Sequence, residues 1–501
     1  MREGAAMKPR QAIFSKACLG TILVFVFLNY FETVSAQNIK MYQKGGISVA
    51  YIAGTEQYHG NGQLAFARLS EPVEIQGIRF KDWIAFRESG HVEKGCLARD
   101  QKINGYFFKA GSEIGLFISG KPNFGSLLED TIIQGFPVKG SPRDSFFNEK
   151  GGLQSGYLSR DFAFTGYENK LGTIVLRQDS LFEFNTNGGW LSKGVLARDT
   201  MIGGTVFPGE TALYFSHDSN GPYLRSVYLL KPLTIAGLEL GYKSSGGWEI
   251  KFHPNGRLEF AVSAKDQRFA DIPIPQGALL YFRSNGSLEN IDTKQTIVIQ
   301  QAAVTDLIAF DELNHMLRAK SAKPQKIGGV LYAGEKYYYE LYFYIDGRIK
   351  QGVVETDQTI QGVQVKSKSV VEFHENGRLA QALLAVPQTV QGITFANSGP
   401  IRLMITGPEA ITQKGIAFYA SGRVKSGYLA RNQKIQECLF RGGTQEQPGF
   451  LSGEESEIEF FENGRVKKGY LAETVRIRGK TYEREGRIEF DDSGRVVGFD
   501  I

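Results

Sequence analysis

Three stretches of this chain say nearly the same thing: IAFYASGRVKSGYLARNQKIQ at 416–436, IEFFENGRVKKGYLAETVRIRG at 458–479 and VEFHENGRLAQALLAVPQTVQG at 371–392. A tandem repeat constrains a fold more than composition does. Each copy must make the same local structure and pack against its own likeness. Most copies carry an apolar-x-aromatic run followed by a Gly turn. The turn glycines are Gly62, Gly90, Gly120, Gly152, Gly188, Gly221, Gly256, Gly286, Gly347, Gly377, Gly422, Gly464 and Gly494, with many steps of 28 to 36 residues. Asn314 falls where one more Gly belongs, and Asn is the side chain that best tolerates left-handed backbone. The chain reads as about 14 copies.

The turn predicts its own register. A three-residue loop, Glu462-Asn463-Gly464, sets Phe460 opposite Val466 and keeps one face apolar on both strands. It also places Gly third, at the left-handed position of a type I turn with a G1 bulge. Ala420-Ser421-Gly422 gives the same pairing of Phe418 with Val424. After each hairpin comes an apolar-x-Gly element: Ile75-Gln76-Gly77, Ile103-Asn104-Gly105, Ile133-Gln134-Gly135, Ile235-Ala236-Gly237, Ile360-Gln361-Gly362, Val390-Gln391-Gly392 and Ile477-Arg478-Gly479. It reads as a third short strand whose Gly marks a bulge or a close backbone approach. Polar steps such as Ala98-Arg99-Asp100 and Ala197-Arg198-Asp199 read as turns in which Asp bonds its own backbone two residues on. Asp306 to Leu317 has some helical spacing, but it aligns with the repeat and reads as strand.

A unit of about three short strands cannot bury its own apolar face, whereas stacked neighbours can. The expected fold class is therefore all-β: an elongated array of antiparallel hairpin or three-strand repeats. Closure into two propellers is the rival architecture, although blades usually have four strands and more residues. Charges recur too densely for a lipid-facing barrel.

The motifs FYASGRVKSGYL and FFENGRVKKGYL resemble the MORN-type repeat, in particular its bacterial antitoxin-type variant. The matching positions are Phe418, Tyr419, Gly422 and Gly427, then Phe460, Phe461, Gly464 and Gly469. The resemblance implies an elongated antiparallel sheet used for scaffolding or binding, and it brings no catalytic residues. The present unit is longer than a usual MORN repeat, and its Ile-x-Gly element is additional.

Residues 1–36 stand apart from the repeats. Arg2, Lys8, Arg10 and Lys16 lead into an uncharged, largely apolar run from Ala17 to Leu28, and Val34-Ser35-Ala36 has the small residues of a cleavage site. The expectation is a signal peptide followed by a repeat region at 37–501, with longer spacers near 400 and 445 as candidate divisions. No later segment approaches a transmembrane helix in length. Export places the product in the periplasm, on the outer surface or in the medium. Removing the leader takes away four basic and two acidic side chains and lowers the formal charge from +5 to +3. That near balance calls for no nucleic-acid partner. Cys96 and Cys438 read as free buried thiols rather than a disulfide.

Chemistry is sparse. His59, His253 and His374 each precede a turn Gly by two or three residues, which marks a repeat position. There is no His-x-x-x-His or Cys-x-x-Cys spacing, so no metal or cofactor is expected. Glu375 and Glu462 read as solvated turn residues. Two sets of side chains are the candidate binding groups. Tyr157, Tyr428 and Tyr470 follow a Gly at equivalent positions, and Arg99, Asp100, Arg198 and Asp199 would line one edge. The expected function is an exported, non-catalytic binding or scaffolding module of the cell envelope, with a protein or an envelope glycan as partner. The alternative is a carbohydrate-active hydrolase with acidic residues gathered in an inter-repeat cleft.

Overall fold

The structure is a computed structural model and describes residues 38–501 apart from 186–188, 242–248, 335–339, 398–414 and 444–455. The leader and both spacers lie outside the described residues. The chain is all-β, with one helical turn, Glu168–Leu171, among the described residues. It divides into two compact units, one ending at Pro122 and one starting at Asn123.

In the second unit a long antiparallel sheet runs in chain order. Val466–Tyr470 pairs back with Glu457–Phe460 and forward with Arg487–Phe490, and the same step recurs from hairpin to hairpin. Phe460 faces Val466, and Phe418 faces Val424. The Phe461 amide donates to the Arg465 carbonyl at 2.8 Å, and the Gly464 amide to the Phe461 carbonyl at 2.8 Å. Gly464 has φ 87°, which Gly alone adopts without strain. Gly62, Gly90, Gly256, Gly286, Gly347, Gly377, Gly422 and Gly494 are left-handed too, and so is Asn314 at φ 66°. At the fourth hairpin of the series the left-handed residue is Gly151 rather than Gly152. Gly188 lies outside the described residues. Asp306 to Leu317 is strand and turn, split between Ala302–Phe310 and Met316–Ser321.

The Ile-x-Gly element is not a lone strand. It is the tip of a second, smaller hairpin: Gln358–Ile360 pairs with Val363–Val365, and Val475–Ile477 with Lys480–Tyr482. The x-Gly pair is a two-residue turn with both residues at positive φ, Gln361 at 50° and Gly362 at 84°, which is the type I′ geometry. Its Gly therefore marks neither a bulge nor a close approach. A typical unit has four short strands, two in the long sheet and two in a cover hairpin; Leu288–Ile299 and Ala302–Phe310 instead run unbroken through both.

The cover hairpins lie on one face of the sheet and close the core. Alternation along each strand sends Ile458 and Phe460 to that face, both buried. Tyr332, Phe395 and Phe440, at the ends of cover hairpins, reach over the second motif Gly of the following sheet hairpin. A Cβ on Gly352, Gly427 or Gly469 would come within 2.7, 2.6 or 2.8 Å of those rings.

Two sets of side chains tie unit to unit through the backbone. The carboxamide of Gln358 accepts from the Leu331 amide at 2.9 Å and donates to the Leu331 carbonyl at 2.8 Å. Gln101, Gln267, Gln325, Gln388 and Gln433 likewise take backbone groups of the cover hairpin before them. At the other rim, Nε2 of His59, His253 and His374 faces the carbonyls of Phe86, Phe282 and Phe418 at 2.8 to 2.9 Å. A carbonyl only accepts, so Nε2 carries the proton. These histidines stitch neighbouring hairpins.

Cys96 and Cys438 are free and buried. Burial and the neighbouring Asp82 push the Cys96 thiol above its ordinary value, and burial with Glu437 does the same for Cys438. Neither should react with a thiol reagent at mildly alkaline pH in the folded chain, and both should react in denaturant. Fast labelling of Cys96 or Cys438 in the native protein would contradict this placement.

Asp306 supplies a pH test. Lys320 first, then Lys294, hold its carboxyl below the usual carboxylate range, with Nζ–Oδ distances of 2.6 and 3.0 Å. A depressed folded pKa contributes stability above the unfolded value and loses it as pH falls through the folded one. Asp306→Asn should therefore unfold at lower urea than the parent near neutral pH, and the gap should close below about pH 4. Asn tolerates the φ of 57° at this site, so the backbone is not the cause. A gap that stays constant with pH would remove the ion pairs from the explanation.

Candidate functional site

The face of the long sheet opposite the cover hairpins is built by the register itself. In the second unit one row of side chains crosses it from strand to strand, including Glu183–Lys193–Tyr214–Ser226–Lys251–Phe260–Tyr281–Asn290. Its aromatic members, Phe124, Phe146, Tyr214, Phe260, Tyr281 and Tyr342, all precede residue 343. Beyond that point the row is Gln351, Glu372, Gln381, Ala417, Ser426, Glu459, Lys468, Glu489 and Gly498. The row thus divides into an aromatic half and a polar half.

Local packing holds these groups in place. Phe124 meets Phe146 at 5.9 Å, and Phe260 meets Tyr281 at 5.1 Å. The ammonium groups of Lys193 and Lys251 lie 5.5 and 6.0 Å from the ring centres of Tyr214 and Phe260, within cation–π range. Lys193 also bonds Glu183 at 3.0 Å, and Arg225 makes a forked pair with Glu259. Burial pushes the Glu459 carboxyl up, but Lys468 and Lys467 outweigh it and hold it below the ordinary carboxylate value. Charges on this face are largely paired with opposite ones, so the face carries no strong field of one sign.

The structure does not bring the three candidate tyrosines together. Their cross-strand partners are Leu181 for Tyr157, Glu457 for Tyr428 and Arg487 for Tyr470. Tyr157 is half-buried beneath the Arg143 guanidinium at 4.6 Å, Tyr470 is half-buried, and Tyr428 is only 3% exposed. The Arg-Asp steps have a structural use. Asp100 and Asp199 accept the amides of Ala110 and Gly209, ten residues on, at 2.7 and 2.9 Å. Each carboxylate clamps the base of a cover hairpin; it does not bond the amide two residues on. Arg198 and Asp199 also border a recess of about 660 Å³ with Pro208, Glu210 and Lys231. Glu375 and Glu462 are exposed, and no group of three or more His, Cys, Asp or Glu able to hold a metal occurs among the described residues.

Two further recesses lie where cover-hairpin tips meet sheet turns. One, of about 710 Å³, is bounded by Gln300, Gln301, Gly328, Gly329, Gly347 and Gln361. The other, of about 210 Å³, is bounded by Lys170, Gly203, Phe207, Asn220, Tyr223 and Phe252. At both, the tip is a Gly-Gly pair with two positive φ values.

No protein-family model matches the chain, and no curated protein matches it. Among solved structures it is similar to crystal structures of TcdB2-TccC3-Cdc42 and of TcdB2-TccC3-TEV, each at 10% identity and a TM-score of 0.11. The alignments cover 92% and 90% of this chain but 27% and 30% of those chains. The chain therefore spans less than a third of the solved chains it matches. Among the described residues no helix is long and apolar enough to cross a membrane.

Proposed function

We propose that this chain is an exported, non-catalytic binding or scaffolding module of the cell envelope, presenting its long sheet to a protein or glycan. The observation that carries the reading is the register row on the uncovered face. It sets aromatic rings and long polar side chains at fixed cross-strand spacing. Rings of this kind give stacking area at low conformational cost, and they are typical anchors of recognition surfaces. The acidic candidates Glu375 and Glu462 are exposed turn residues, which favours the module over the hydrolase reading.

Glycan-array and pull-down screens with the full chain test it, with Tyr214→Ala, Phe260→Ala and Tyr281→Ala as a combined face variant. Capture by the parent and its loss in the variant are expected. Hydrolysis of an envelope polysaccharide with no capture by either method would replace this reading with the hydrolase.

A further inference from the structure

We propose that the recess at the Gly328-Gly329 tip is a socket for the side-chain carboxamide of a glutamine on an extended peptide segment of a partner protein. The inference rests on the binding-module reading and names a partner chemistry for it.

The next two units show what this position can hold. The Gln361 carboxamide, at the tip of its cover hairpin, donates to the Gly377 carbonyl at 2.8 Å and accepts from the Leu379 amide at 3.0 Å. Gln391 does the same with the Gly422 carbonyl at 2.8 Å and the Val424 amide at 3.1 Å. In both, a primary amide offers donor and acceptor side by side to a backbone carbonyl and amide. The equivalents one unit earlier are the Gly347 carbonyl and the Ile349 amide. The tip that faces them is Gly328, which has no side chain. Gly347 and Ile349 both border the recess.

Gly328 is not demanded by its backbone angle. Its φ is 57°, against 50° and 52° at Gln361 and Gln391. The tip could carry the internal glutamine and does not. The Gly203-Gly204 tip differs, because Lys170 occupies the neighbourhood and donates to the Asn220 carbonyl.

The recess is much larger than one side chain, at about 710 Å³. Gln301 and Thr359 on its rim supply amide and hydroxyl groups for the backbone of a peptide carrying the glutamine, while the Gln300 carboxamide stands against Gly347, 3.2 to 3.4 Å from where its Cβ would be. Arg348 and Asp346 close on each other at the mouth, leaving no bare charge to select an ion. A carboxylate has no donor for the Gly347 carbonyl, so glutamate fits only half of the socket. A sugar could supply hydroxyls. At the Gly62 turn a hydroxyl, that of Tyr42, accepts the equivalent Leu64 amide at 3.2 Å, but where amide and carbonyl are both taken, at Gly377 and Gly422, the group is a carboxamide, which favours a peptide over a glycan.

The test is saturation-transfer NMR on the full chain with acetyl-Gly-Gln-Gly-N-methylamide, its Glu and Leu counterparts, and chitotriose. Gly328→Gln installs the internal plug used by the neighbouring units. The Gln peptide should saturate at its side-chain methylene protons at least tenfold more strongly than the Glu or Leu peptide. Gly328→Gln should abolish that signal while unfolding at the same or higher urea. Equal saturation of the Gln and Glu peptides, or a signal unchanged by Gly328→Gln, overturns the socket. Saturation of chitotriose that Gly328→Gln removes, without a peptide signal, also overturns it and assigns the recess to sugar. If the socket fails while the Tyr214, Phe260 and Tyr281 variant still loses capture, the module reading stands alone.

Discussion

Gly352→Val will lower the urea midpoint of the chain by the equivalent of about 3 kcal/mol, at the upper end of what overpacking a core costs. Two effects oppose each other here. Valine is the better strand residue, and propensity alone would favour it by up to about 1 kcal/mol. Against that, a Cβ at this position would stand 2.7 Å from the Tyr332 ring and 2.9 Å from Leu341. Tyr332 is 1% exposed and has nowhere to move without opening the cover layer. Overpacking should therefore win. Adding Tyr332→Ala removes the obstruction, so the double variant should be less destabilised than the sum of the two singles. If Gly352→Val stabilises the chain, the cover hairpin does not lie on this face.

Phe440→Ala acts from the other side of the same contact. The ring is 1% exposed and lies over Gly469. Removing it should cost about 3–5 kcal/mol, the range for truncating a buried phenylalanine. Because each unit contacts only its neighbours, the loss should be local. Hydrogen exchange should accelerate in Glu457–Phe460 and Val466–Tyr470 while Leu279–Phe282 keeps its protection. Uniform acceleration along the second unit would show that the array unfolds as one block, contrary to nearest-neighbour coupling.

Much of the sheet hairpin could be read from the amino acids. Glu462-Asn463-Gly464 specifies its loop because Gly occupies the left-handed position, and the loop then sets Phe460 against Val466. Asn314 could be placed by the same argument. The cover hairpin was hidden for a related reason. Its tip needs two left-handed residues, but the first is Gln, Ala or Arg in most copies, and these do not announce that conformation. Val363-Gln364-Val365 then looks like an extension of the strand before it. The Gln358 series carried a weak signal, an Asp or Asn directly before Gln in four copies: Asp100-Gln101, Asp266-Gln267, Asp357-Gln358 and Asn432-Gln433. Its meaning depends on a partner in the preceding unit, which no local pattern discloses. The register row is a further case. It arises from pairings between hairpins, so the likeness among Tyr157, Tyr428 and Tyr470 was visible while their separation was not. The large recess comes from an absence, a tip with no side chain, and its neighbours alone give that absence meaning.

The glutamine and histidine ties share a property that bears on how such a chain can grow. Gln358 grips the main-chain atoms of Leu331, and His374 grips those of Phe418. An amide and a carbonyl are present whatever residue stands there, proline's missing N–H aside. A copied segment can therefore dock onto almost any neighbour, before or after it, without a matching substitution there. Gene-level duplication then yields a working joint at once, and each copy is free to drift in the side chains it shows to the outside.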